Sequence, residues 1–161
     1  MDLTDELPEQ ENKLPNGISF DPASILSGPV IRACPQVSYQ GHACTAASVE
    51  QATEMIDYIS QNFDSEDCAP FAIRLVEAGE LLSLQQDNGE FMCASLVGNA
   101  LKRLDGYNAM LCVTRKIKGC FVDEMVYAQK RGAVKIAAEK AADLLLDTLN
   151  AASLAKNSVK K

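Results

Sequence analysis

Residues 109–114 read Ala-Met-Leu-Cys-Val-Thr, a nearly continuous apolar run with Gly106 shortly before it and Arg115 directly after. Six residues are too few for a helix, and the lack of alternation marks a strand buried at the centre of a sheet. Such a strand needs neighbours beside it and helices over it. Residues 36–46 (Gln-Val-Ser-Tyr-Gln-Gly-His-Ala-Cys-Thr-Ala) alternate imperfectly, with β-branched and aromatic members, and read as a strand or bulged strand. Residues 71–77 (Phe-Ala-Ile-Arg-Leu-Val-Glu) alternate well enough for another.

Between these strands Ser48 opens a helix. Ser-Val-Glu-Gln has the cap-and-glutamine spacing that satisfies two free backbone donors at a helix start. Val49, Ala52, Met55, Ile56, Ile59 and Phe63 then fall on one face until the polar run 64–67 ends it. A second helix is predicted over 92–104, from the spacing of Met92, Leu96, Val97, Ala100, Leu101 and Leu104, with Gly106 placed to stop it. A third is predicted from about 123 to 152, capped by Asp123, with a stripe of Val126, Val134, Ala137, Ala138, Ala141, Leu144, Leu145 and Leu149, and with Gly132 as a place to divide it. Residues 86–90 (Gln-Asp-Asn-Gly-Glu) are a turn, because Asn-Gly tolerates positive φ, and 115–119 read as a basic turn.

The order strand, helix, strand, strand-like segment, helix, strand, helix describes one α+β domain, with a mixed β-sheet and helices packed mainly on one face. Up to residue 31, Pro8, Pro15, Gly17, Pro22, Gly28 and Pro29 punctuate the chain and no periodic segment reaches helix length, so 1–31 is expected to be a flexible arm pinned by Phe20, Ile25 and Leu26. The domain proper is expected over 32–153, with a basic tail at 154–161.

The 161 residues, 47% apolar and 23% charged, fit an ordinary globular domain and neither a disordered nor a fibrous chain. No apolar run approaches the roughly 20 residues a bilayer span needs, and the opening Met-Asp-Leu-Thr-Asp-Glu is acidic where a secretory or mitochondrial signal is basic. A soluble, cytoplasmic protein with no membrane contact is expected. The net charge of −7 is uneven: residues 115–140 carry seven bases against three acids. The global charge opposes non-specific nucleic-acid binding, yet this local patch can dock phosphate or an acidic partner.

Six cysteines without a signal peptide, no two of them two or three residues apart, lack the spacing of zinc sites, redox pairs or a disulfide frame and read as small buried hydrophobes. Cys120, between a basic turn and a predicted helix start, is the one thiol with a case for a lowered pKa. His42 is the single histidine, and as a general base it lacks a nucleophile identifiable from the sequence. Asp87 and Glu90 supply too few oxygens at the spacing of a calcium loop, and neither a phosphate-binding glycine loop nor a serine nucleophile elbow occurs. No catalytic residue, metal or cofactor is expected.

Four segments resemble the IMPACT family, the domain shared by the eukaryotic regulator of the general-control kinase and its bacterial relatives. Residues 38–44 followed by 48–52 (Ser-Val-Glu-Gln-Ala) are similar to its small-residue strand and Ser-x-x-Glu-Ala helix. Phe71-Ala72-Ile73-Arg74 is similar to its Tyr-Ala-Tyr-Arg strand, and residues 86–90 stand where it carries an Asp-Asp-Gly-Glu loop. Residues 108–115 resemble its Asn-Val-Leu-Val-Val-Val-Thr-Arg strand, so the match spans about 37–142. The family's glycine-rich run after that strand is reduced here to Gly119, and its Ala-Gly pair after the acidic loop is replaced by Cys93-Ala94-Ser95. The resemblance implies a β-α-β domain like domain IV of elongation factor G and a role in translation control. Asp87, Gly89, Glu90, Arg115 and Gly119 would represent its loops.

The expected function is a non-enzymatic regulatory or interaction module. It would bind a ribosome-associated or kinase-scaffold protein, with RNA as a second candidate, through Arg115, Lys116, Lys118 and Gly119 and a neighbouring acidic loop. A structural subunit of a larger complex and a thiol-dependent enzyme using Cys120 stand as alternatives.

Overall fold

The structure, a computed structural model, describes residues 17–62, 70–88, 92–117 and 127–159, with side chains in the last stretch from 130 to 154. Five strands, β1 (Leu26–Cys34), β2 (Val37–Thr45), β3 (Phe71–Glu77), β4 (Glu80–Gln86) and β5 (Ala109–Ile117), form one sheet in the order β1-β2-β5-β3-β4. Three helices accompany it: α1 (Val49–Asn62), α2 (Ala94–Leu101) and α3 (Tyr127–Val159). The α+β single-domain expectation holds, and the apolar run at 109–114 is the central strand, buried at every one of its six positions.

The sheet is not mixed. Every described pairing is antiparallel. β2 and β3, joined through α1, do run parallel, but β5 is inserted between them and opposes both. Two of the three helices share one face, as expected, and the third takes the other. Alternation along β5 sends Met110 and Cys112 toward α1, where they pack with Ala52, Met55, Ile56 and Ile59. Ala109, Leu111 and Val113 point the other way, into a core with Val97 and Leu101 of α2 and Val134, Ala137, Ala138 and Ala141 of α3. A strand apolar on both sides needs cover on both sides, so two helices take one face and α1 takes the other.

Local signals place the helix ends. Ser48 Oγ accepts from Gln51 N at 3.1 Å and the Gln51 side chain reaches back to Ala47 N at 2.8 Å, a reciprocal cap on α1. Residues 102–104 tighten into a 3₁₀ turn before Gly106, whose φ of +92° ends the helical stretch. α3 passes Gly132 without a break and continues to Val159, through most of the expected tail. Asp123, Val126 and Phe63 lie outside the described residues.

The expected arm overlaps the sheet, since residues 26–34 are the edge strand β1. Its proline and glycine punctuation produces irregular register, with shifts between Ser27 and Val30 and between Arg32 and Cys34, rather than absence of structure. Before β1, Phe20 is buried and meets Tyr58 edge-on at 5.6 Å, and Glu54 accepts from both Ser19 N (2.6 Å) and Ser19 Oγ (2.9 Å). Phe20, Ile25 and Leu26 all pack against the body, as expected of them.

Candidate functional site

Strand alternation assigns Ser38, Gln40, His42 and Cys44 of β2 to the face shared with Lys116, Thr114, Cys112 and Met110 of β5. α1 covers the apolar half of this face and ends at Asn62. The other half is polar and open. It forms a cleft of about 300 Å³ lined by Val30, Ser38, Tyr39, Gln40, Asn62, Thr114 and Lys116, and beside it a second of about 240 Å³ to which Arg32, Pro35 and Gln36 contribute.

His42 is fully buried beneath this floor. Its Nδ1 lies 2.7 Å from Ser27 Oγ and its Nε2 2.9 Å from Thr114 Oγ1, while the Thr114 hydroxyl donates to Gln40 O at 3.3 Å. With the threonine proton committed to that carbonyl, its oxygen accepts from Nε2–H, and Nδ1 is left to accept from Ser27. Burial pushes the imidazole pKa down to about 4. Ser27 is the hydroxyl partner that the sequence did not identify. An imidazole of that pKa is nevertheless a weak base at neutral pH. Held between side chains of β1 and β5, the neutral ring ties three strands together.

The rim carries the charge. Arg32 of β1, Ser38 of β2 and Lys116 of β5 are direct cross-strand partners, so two exposed cations flank one serine on three adjacent strands, about 10 Å apart at two strand spacings. Among the described residues no carboxylate lines either cleft, and neither cation has an ion-pair partner. A wider cleft of about 410 Å³ between β4 and α2 differs in this respect, because its Arg74 is paired with Asp105 at 2.8 Å. The Arg32–Ser38–Lys116 row can receive a carboxylate or phosphate, with Val30, 61% exposed, offering apolar contact beside it.

The other residues singled out by sequence separate from this row. β5 continues to Ile117, so residues 115–117 are strand and not turn. Arg115 pairs with Tyr39, which is buried in the core shared with α3, whereas Lys116 pairs with Ser38 on the α1 face. Two adjacent cations thus project to opposite sides. Asp87 accepts from Ala94 N at 2.8 Å and Met92 N at 3.1 Å, and the Ala94 bond above all holds its carboxyl below the usual carboxylate range. Arg131 adds to this and donates to Met92 O, which ties the start of α2 to α3. The Asp87 carboxylate therefore serves the helix start. Gln86, one residue before it, is level with Cys112, so Lys116 lies about 10 Å across and about 13 Å further along the sheet. Gly89, Glu90, Lys118, Gly119 and Cys120 lie outside the described residues. Among the described residues no group of three or more His, Cys, Asp or Glu side chains is arranged to hold a metal, and no helix is long and apolar enough to cross a membrane.

Arg32 was missed as a site residue because nothing local links it to a lysine more than eighty positions away. Comparison with known proteins leaves the chain without a family assignment. No family model and no curated protein matches it. Among solved structures, that of the two-domain translational regulator Yih1 is similar, with a TM-score of 0.46 and 21% identity over 76% of this chain. The chain spans about half of that protein, 51% of its length.

Proposed function

We propose that this chain is a non-catalytic interaction module of the IMPACT type, acting in translation control in the cytoplasm. Its groove flanked by Arg32 and Lys116 receives an acidic segment of a ribosome-associated or kinase-scaffold protein. One observation carries the binding surface: two cations flank Ser38 on adjacent strands of a polar floor, lined by no carboxylate among the described residues. Such a row favours an extended anionic chain, each ion pair to these exposed cations adding about 0.2–1 kcal/mol. The translation role draws on the resemblance of residues 38–52, 71–74, 86–90 and 108–115. The loop positions Asp87, Gly89, Glu90, Arg115, Lys118 and Gly119 belong to this proposal as a second contact region.

The test is affinity capture from cell extract with the full chain, with and without nuclease. Arg32→Glu with Lys116→Glu is expected to lower recovery of ribosome-associated or kinase-scaffold proteins by about tenfold or more, at unchanged thermal midpoint. Full recovery in that variant removes the groove from the proposal. Capture by the unaltered chain that disappears on nuclease treatment replaces the protein partner with RNA, and absence of both partner classes ends the translation reading.

A further inference from the structure

The two edges of the sheet are built differently. β1 carries Pro29, two register shifts and the exposed Arg32, features that discourage a further strand from adding to an edge. β4 has none of these. Its seven residues, Glu-Leu-Leu-Ser-Leu-Gln-Gln, pair with β3 without interruption and are exposed throughout, with Leu81 57%, Leu82 37% and Leu84 39% accessible. No described strand pairs with its outer edge.

The hydrogen-bonding phase of that edge follows from its neighbours. Val113 donates to Pro70 O, and Val76 N donates to the Asn108 side chain, so the even-numbered positions of β3 turn toward β5. The odd-numbered ones, Phe71, Ile73 and Leu75, turn toward β4 and bond Gln86, Leu84 and Leu82. The two-residue turn gives the same phase, since Ala78 and Gly79 both have positive φ, +52° and +82°, and close the Glu77/Glu80 pair. The backbone groups of Leu81, Ser83 and Gln85 therefore point outward.

These three residues are symmetric about Ser83. We propose that β4 is a self-association edge, at which a second copy of this chain pairs antiparallel about Ser83 to continue the sheet across a two-fold axis. In that register Leu81 meets the second copy's Gln85, Ser83 meets Ser83, and Gln85 meets Leu81. Each is a hydrogen-bonded pair, so every outward N–H and C=O of the three residues is satisfied. Leu82 falls opposite Leu84 at the non-hydrogen-bonded sites, where opposed Cα atoms are only about 4.5 Å apart, and Leu82 and Leu84 of both copies close into one cluster of four on the α1 face. Glu80 is the one charged residue of the strand and faces Gln86, so no like charges meet. A single strand on each side is a small interface, and it places the dimer in the weak, reversible class below about 1,200 Å².

Sedimentation equilibrium of the full chain from about 1 to 500 µM is expected to show conversion from monomer mass to twice that mass. Leu82→Lys with Leu84→Lys, both at exposed positions, is expected to raise the dissociation constant at least tenfold by bringing four ammonium groups together. The register has its own readout. Ser83→Cys places two Cα atoms about 5.5 Å apart, within disulfide range, and is expected to form a symmetric cross-link in a buffer of reduced and oxidised glutathione, whose disulfide form is the oxidant, mapped by mass spectrometry. Leu84→Cys, offset from its symmetry mate, is expected to cross-link at least tenfold less. A chain that stays monomeric throughout, a dimer indifferent to the lysines, or cross-linking that favours Leu84→Cys overturns the proposal.

Discussion

Gly41 of β2 lies under α3 so closely that a Cβ built on it falls 2.2 Å from Ala137 O, 2.9 Å from Ala137 C and 2.8 Å from Ala141 Cβ. Carbon contacts settle at about 3.5–4.0 Å, so Gly41→Ala requires backbone to retreat by more than about 1 Å. Neither side yields cheaply. β2 is held between β1 and β5, and α3 is held by Val134, Ala138, Ala142 and Leu145 in the core. A gap of 0.5–1 Å forfeits about a quarter to a half of each dispersion contact it opens, and overpacking of a tight core costs about 1–3 kcal/mol. Because the obstacle is backbone, Gly41→Ala is placed at the upper end, about 3 kcal/mol, or a fall in Tm of about 6–12 °C for a chain of this length. Gly98 supplies the control. A Cβ there also falls 2.2 Å from its nearest atom, but that atom is Nε2 of Gln85, the far end of a side chain on the exposed β4. The glutamine can swing aside, and alanine within α2 gains about 0.5–1 kcal/mol over glycine, so Gly98→Ala is expected to be neutral or mildly stabilising. Gly132, with nothing among the described residues within 4 Å, gives the helical gain alone. Urea and thermal unfolding of the three variants order them Gly132→Ala, Gly98→Ala, Gly41→Ala from most to least stable. A Gly41→Ala chain within about 1 kcal/mol of the parent, or a Gly98→Ala chain as damaged as Gly41→Ala, refutes the reasoning.

Three further outcomes are expected. The folded His42 pKa is depressed to about 4, so the unfolded chain takes up the proton first; its contribution is complete above about pH 6.5 and is lost as pH falls toward 4, by about 3 kcal/mol at most. Urea midpoints at pH 7.5, 6 and 5 check this, and a His42→Gln chain with the same pH slope as the parent contradicts it. Ala78 sits at φ +52° in the turn between β3 and β4, so Ala78→Asn is expected to stabilise by about 1 kcal/mol, and a thermal midpoint that falls would refute it. Burial raises the thiol pKa of Cys44 and Cys112, and Cys93 is buried, so alkylation at pH 8 should mark partly exposed Cys34 and spare these three until denaturant is added. The same labelling followed against pH tests Cys120, since an ordinary pKa of about 8.5 would leave it no activated nucleophile.

Local patterns were legible where their signal is local. The Ser48/Gln51 cap, the α1 face of Ala52, Met55, Ile56 and Ile59, the strand at 71–77 and the apolar run at 109–114 all rest on spacings within a few residues, and all appear in the structure. Misreadings occurred where a neighbour distant in sequence overrides the local cue. Pro29 and Gly28 look like the end of order, yet pairing with β2 holds that stretch as an edge strand, and Gly28 is there because α3 passes close: an added Cβ would meet Ala141 N at 3.3 Å. Leu144 fits the helical stripe of α3 but is 39% exposed, while Ala142 beside it is buried, because the helix lies on the sheet through small residues. Residues 115–117 look like a turn by charge, yet pairing with residues 37–39 keeps them extended.

The candidate site divides in the same way. Lys116 was visible as a cation near the end of an apolar strand, but its partner Arg32, its serine and its opposition to Arg115 come from register. Composition, period and capping chemistry by themselves determined that this chain makes helices and strands around a central buried strand, because those preferences act over one or two turns of chain. Only the folded structure decided that β5 enters between β2 and β3, that helices cover both faces, and that Arg32, Ser38 and Lys116 form one row. Those neighbours are chosen by burial summed over the whole core, to which segments as far apart as residues 31 and 141 contribute together.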